Sequence, residues 1–87
     1  MAKRQELESK IKSLVSDRKR AYCQTFGGDS EAIKAVLVDL AFFCRANQTT
    51  FHEDARAHAL LEGRREVYLR IKQHLDLSDD ELFETLK

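Results

Sequence analysis

The sequence lacks proline and tryptophan altogether, and its 87 residues include only three glycines. Because proline and glycine are the residues that most disfavour helix interiors, their scarcity favours an all-helical chain of one domain. No apolar run approaches the ~18 residues that a membrane-spanning helix needs, and the first ten residues contain no apolar core of a signal peptide. We therefore expect neither membrane insertion nor secretion.

Cysteine is scarce as well. Cys23 and Cys44 are too few and too far apart to form a disulfide framework or a paired metal knuckle, so we expect reduced thiols in an intracellular protein. Both cysteines fall in apolar helical segments, which favours a packing role over nucleophilic catalysis.

A metal site would need converging histidine, cysteine or carboxylate side chains. The group that comes nearest is His52, Glu53, Asp54, His58 and Glu62, but its spacing is not that of the H-E-x-x-H zinc signature. We predict no metal, no cofactor and no catalytic residue.

The chain also lacks a net charge, since 15 basic residues balance 15 acidic ones. Binding of nucleic acid by overall charge is therefore excluded, and any such binding must be local. The charge is nevertheless uneven: residues 1–23 are mainly basic and residues 71–87 mainly acidic. This polarity suits either head-to-tail contacts between copies or an antiparallel arrangement within one chain.

Apolar periodicity and capping residues predict three main helices and a short fourth one. The first runs over about 3–25 and stops at Gly27, and the second runs over 31–46 with Asp29 or Ser30 as its N-cap. The third covers about 54–75, with Asp54 as N-cap or Thr50 and Glu53 as a capping box. Ser78 and Glu81 predict a capping box for the fourth. The expected architecture is a small all-α bundle.

The second helix is apolar nearly all round. Ile33, Leu37 and Leu40 share one side, and Val38 and Phe42 lie on another. Such a helix is either central, covered from two directions, or it presents Val38 and Phe42 to another protein. The central position is the interpretation we favour, because a small domain needs its large side chains, and Val38 and Phe42 are our candidate interface residues in the other case.

The third helix carries a charge within its apolar stripe, at Arg64. An unpaired buried charge is costly, so we predict an ion pair with Asp39 of the second helix. The alternative is that Arg64 and Arg65 bind an acidic or phosphate group, which the planar guanidinium suits.

The first helix offers two further candidate surfaces. Leu7, Ile11 and Leu14 follow a heptad spacing. We therefore predict that residues 1–16 form a basic helical extension of a single domain over 17–87. This extension either projects and pairs with another helix or folds back over helix three. The second surface is a set of basic side chains for weak, salt-dependent polyanion binding: Lys10, Lys12, Lys19, Arg20 and Arg65.

Three segments carry a resemblance to a known family: YCQTF at 22–26 followed by Gly27, VLVDLAFFC at 36–44 and EGRREVYLRI at 62–71. Over about residues 17–77 the chain resembles the Bbp-like family of small tailed-bacteriophage proteins, of the Bordetella-phage type. The resemblance implies a phage origin, an all-helical structure and a non-enzymatic role in or around the virion, and it transfers no catalytic residue.

Taken together, these observations predict a small non-enzymatic phage protein that acts by helix-mediated protein contact, as a virion or virion-assembly component. We expect a homo-oligomer or a complex with another phage or host protein, located in the host cell cytoplasm or in the virion. The alternative is an early phage protein that binds a host protein or nucleic acid through its basic first helix.

Overall fold

The computed structural model describes residues 2–86 and contains four helices within that range. They are α1 (Ala2–Phe26), α2 (Glu31–Phe43), α3 (Ala55–Asp76) and α4 (Asp79–Glu84), and no strand occurs among these residues. The predicted all-α architecture, with three main helices and a short terminal one, is therefore confirmed.

The helix ends follow the local signals that the sequence carries. Ser30 caps α2 by accepting a hydrogen bond from the Ala32 N–H, and Asp54 caps α3 by accepting from the N–H groups of Arg56 and Ala57. Gly27 is required after α1, because a Cβ atom there would lie 2.6 Å from the carbonyl oxygen of Cys23.

Helix α2 ends three residues before the predicted position. Arg45 adopts a positive φ of 53°, and its N–H donates to the carbonyl of Phe42 while the N–H of Ala46 donates to the carbonyl of Ala41. These two bonds define a Schellman motif, the usual C-terminal cap, here with arginine at the position that most often holds glycine. Because glycine is absent at this position, the C-terminal end of α2 could not be predicted from the sequence.

Helix α1 is the element around which the chain packs, since both α3 and α4 lie against it more extensively than α2 lies against any helix. Val15, Ile71, Leu82 and Phe83 are the buried aliphatic and aromatic side chains of this contact region. The central position predicted for α2 is wrong: α2 has no buried residue and lies at the periphery. Helical periodicity identified its apolar sides but could not identify which neighbours cover them.

The basic and acidic ends of the chain meet within one molecule. Helix α4, whose first turn consists of Asp79, Asp80 and Glu81, packs against the basic helix α1, and the Lys12 ammonium lies 5.0 Å from the centre of the Phe83 ring. Of the two arrangements that the uneven charge allows, the intramolecular one is present.

The molecule is flat and open for its length. Its Cα atoms span 50 × 36 × 14 Å with a radius of gyration of 16.2 Å, whereas a compact domain of this size has about 12 Å. Among the residues whose burial the structure describes, no side chain is completely removed from solvent. Much of the apolar surface is consequently left at the outside.

Candidate protein-binding surface

The outer side of α2 is an exposed apolar feature of the surface. Ile33, Leu37 and Leu40 point towards the rest of the chain and are half-buried, while Val38 and Phe42 remain 69% and 76% exposed. We call this outer side the α2 face, and it is lined by Glu31, Lys34, Ala35, Val38, Asp39 and Phe42. Of the two alternatives that the sequence left open, α2 therefore follows the one in which Val38 and Phe42 stay accessible.

Beside the α2 face lies a groove of about 610 Å³ between α2 and α3. Leu37, Ala41 and Phe42 form its α2 wall, and Tyr68 and Lys72 form its α3 wall. The groove is predominantly apolar, with lysine ammonium groups at its margin. A ridge next to a groove is the shape that a second helix can fill by interlocking side chains.

The charged residues of the α2 face differ in whether they have a partner within the described chain. Lys34 lies 3.8 Å from Glu31, one turn earlier, in an exposed pair of the kind that contributes little to stability. Asp39 is exposed and forms no salt bridge with any side chain among residues 2–86. It is thus available to a cation outside the chain.

The predicted ion pair between Asp39 and Arg64 is wrong. The Arg64 guanidinium lies over the ring of Phe43, 4.5 Å from its centre, in a cation–π contact that joins α3 to the end of α2. Asp39 faces outward on the α2 face, so it does not approach α3. The positive charge within the apolar stripe is therefore stabilised by the ring of Phe43 instead of by a carboxylate.

The stripe on the N-terminal part of α1 is also uncovered. Leu7 and Leu14 are 59% and 62% exposed, Ile11 is half-buried, and every residue from 3 to 10 is exposed. Within α1, burial begins at Val15. This placement agrees with a projecting helix end, and whether the end pairs with another helix stays a prediction.

The basic residues do not form one free stripe. Lys19 donates to the carbonyl of His74 at 3.0 Å, and Arg20 lies 3.7 Å from Asp17. Lys12 is engaged with Phe83, Arg65 is half-buried on α3, and Lys10 is exposed. Because several of these groups already contact the chain itself, the structure offers no specific support for polyanion binding, which stays a prediction.

The structure contains two polar clusters that we did not predict, although the sequence spacing of two residues in the first cluster was informative. Thr50, within the α2–α3 loop, is buried; its hydroxyl donates to Glu62, and its carbonyl accepts from Nδ1 of His58. The one-turn spacing of His58 and Glu62 indicated a shared face, but not the loop that this face holds. In the second cluster, the buried His74 stacks on Tyr22 between α3 and α1.

The described part of the chain contains neither a metal-binding cluster nor a membrane-spanning helix. Within it, no three histidine, cysteine, aspartate or glutamate side chains converge as they would around a metal ion. None of the helices in residues 2–86 combines the length and the apolar character needed to cross a bilayer.

The fold and surface define a small all-helical protein with an exposed apolar helix face. The chain belongs to the Bbp19-like phage protein family, whose model matches residues 22–87. The family resemblance seen in the sequence is confirmed, although the match begins five residues later than we expected and extends through α4. No curated protein and no solved structure matches the chain.

Proposed function

We propose that this phage protein is not an enzyme and that it works by binding another protein through the α2 face, as a component of the virion or of its assembly. The observation that carries the proposal is the exposure of Val38 and Phe42 on a helix that buries none of its own residues. Contiguous apolar surface of this kind marks interaction sites in proteins.

The energetics favour binding by this face. Covering the side chain of Phe42 or Val38 completely contributes about 1.5–3 kcal/mol each, and in the isolated chain most of that contribution is unused. An aromatic residue seated in a partner's pocket is also the type of residue that dominates binding energy at interfaces.

The polar clusters support a binding role rather than a catalytic one. In the Thr50, His58 and Glu62 cluster, each hydrogen bond links the α2–α3 loop to α3, so these groups are used to hold the loop. His74 is likewise engaged at both its ring nitrogen and its carbonyl oxygen. Neither cluster lines the α2 face.

The test uses phage that carry variants of the chain. In purified particles and assembly intermediates, mass spectrometry quantifies the wild-type chain, a Val38→Asp/Phe42→Asp variant and a Leu86→Ser control, which alters an exposed leucine far along the chain. We expect the α2 variant to be lost from these fractions and the control to be retained. Retention of a folded α2 variant at wild-type copy number would refute the proposal.

A Leu7→Asp/Leu14→Asp variant separates the two apolar surfaces in the same assay. If α2 is the attachment site, this variant stays associated while the α2 variant does not. The reverse pattern would assign attachment to the N-terminal part of α1. Circular dichroism of each purified variant establishes that its helices are formed.

A further inference from the structure

The accessible surface of the chain is larger than that of a compact monomer of the same mass. Its accessible surface is 6844 Å², whereas a compact monomer of 10.1 kDa has about 5,300 Å². The excess of roughly 1,500 Å² per chain is nearly twice the ~800 Å² that a standard interface removes from each partner. A second copy of the chain could therefore remove about half of the excess from both molecules.

The α2 face has the residue order of a two-stranded helix seam. Ala35, Val38 and Phe42 follow the three-then-four spacing of the inner heptad positions, and all three are exposed. Lys34 and Asp39 lie on opposite flanks of this seam, five residues apart. Glu31 occupies the seam at its N-terminal end, where Lys34 of the same chain lies beside it.

The two flanking charges select an orientation. In a parallel pair, the flanking residue before the first inner position of one helix faces the flanking residue five positions later in the other helix, which places Lys34 beside Asp39 of the second copy, twice per dimer. In an antiparallel pair related by a twofold axis, each flank meets its own counterpart, so like charges face each other. The two flanking charges therefore complement each other only in the parallel arrangement, which also brings the two Glu31 side chains together at the N-terminal end of the seam, each with Lys34 of its own chain beside it.

We propose that two copies of this chain pair through their α2 faces, with the α2 helices parallel and with reciprocal ion pairs between Lys34 of one copy and Asp39 of the other. This inference rests on the proposed function, for which it supplies the first partner. The exposed Asp39 then acquires a cationic partner that residues 2–86 of its own chain do not provide. Phe42 packs beside Phe42 of the second copy.

The decisive experiment measures dimer dissociation by analytical ultracentrifugation of the full chain and of charge-reversed variants. Lys34→Glu alone and Asp39→Lys alone should each weaken the dimer about tenfold or more, because each creates two like-charge contacts. The double variant, Lys34→Glu with Asp39→Lys, should dimerise more tightly than either single variant, although it loses the pair between Lys34 and Glu31. An equimolar mixture of the single variants should form heterodimers.

A matched control and a second readout fix the surface and the orientation. Glu66→Lys, an exposed charge reversal on α3, should leave the dimer unchanged. Under mild oxidation, Ala35→Cys should give a rapid disulfide-linked dimer, because parallel pairing brings the two copies of position 35 together, whereas Ala32→Cys on the neighbouring side of α2 should not.

The outcomes separate this inference from the proposed function. A chain that stays monomeric at high concentration, or a dimer that ignores both charge reversals and dissociates only with Leu7→Asp/Leu14→Asp, overturns the parallel α2 pair. The particle-association assay is independent of this result, because an α2 variant that is lost from particles while the free wild-type chain is monomeric leaves the proposed function standing with a different partner.

Discussion

The ring of Tyr22 stacks on the imidazole of His74, with ring centres 4.1 Å apart and planes inclined by 16°. His74 is buried, and its Nδ1 donates to the carbonyl of Arg70, which fixes the ring against its own helix. Its backbone carbonyl accepts from Lys19 of α1. The two residues therefore form the main polar and aromatic link between α1 and α3.

Replacing His74 with alanine should destabilise the fold. The change removes the stacked ring and leaves a cavity between α1 and α3, for which we expect a loss of roughly 2 kcal/mol in the free energy of unfolding. Urea denaturation followed by circular dichroism measures it. Gln73→Ala, at the exposed neighbouring position, is the control and should change stability little; equal losses for both variants would contradict the role of the stack.

Replacing Arg45 with glycine should stabilise the protein. Arg45 holds a left-handed conformation at the end of α2, which costs a residue with a Cβ atom about 1 kcal/mol relative to glycine. We expect a gain of that order in the free energy of unfolding. Arg56→Gly, in the exposed first turn of α3, should have the opposite sign. A loss of stability for Arg45→Gly would show that its side chain matters more than its backbone conformation.

The contact between Arg64 and Phe43 can be separated from the ion pair that the sequence suggested. A double-mutant cycle with Arg64→Gln and Phe43→Leu should give a coupling of about 0.5–1 kcal/mol, the usual size for a partly exposed cation–π contact. The matched cycle with Arg64→Gln and Asp39→Asn should give a coupling near zero. A larger coupling to Asp39 than to Phe43 would contradict the observed geometry.

The capping box of α4 should make stability depend on acidity. The N–H of Ser78 donates to the Glu81 carboxylate and, with the Ser78 hydroxyl and then the charge of Lys19, lowers the pKa of Glu81 below its ordinary value of 4.5. A lowered pKa in the folded state means that the carboxylate stabilises the fold above the unfolded pKa and loses this effect as the pH falls through the folded value.

We therefore expect Glu81→Gln to be less stable than the wild type at neutral pH and to approach it as the pH falls below the ordinary glutamate range. Urea midpoints at pH 7 and at about pH 3 measure the difference. An NMR titration of the Glu81 side chain provides the direct check: a midpoint at or above the ordinary value would contradict the hydrogen bonds of the capping box.

Local features of the fold were predictable from the sequence because their causes are local. Ser30 and Asp54 are short polar side chains directly before helices, and Ser78 with Glu81 is a complete capping box, so these helix starts agree with the structure. The end of α2 was not predictable in the same way, since Arg45 gives no compositional sign that it adopts a left-handed conformation.

The candidate surface was only half predictable. Periodicity placed Val38 and Phe42 on a different side of α2 from Leu37 and Leu40, which the structure confirms. Periodicity could not predict which side of α2 is covered, because that depends on which helices pack against α1. The wrong partner for Arg64 has the same origin: spacing locates a charge on a helix, but not the aromatic ring that another helix brings to it.

The peripheral attachment of α2 has a consequence for how the molecule opens. With no buried residue of its own, α2 can detach while α1, α3 and α4 remain packed, so its amide protons should exchange with solvent through a low-energy local opening. A partner that covers Phe42 and Val38 would have to dissociate before α2 opens, so it would slow exchange in this helix. The rate of amide exchange in α2 therefore reports whether a partner is bound to the α2 face, even when that partner is unidentified.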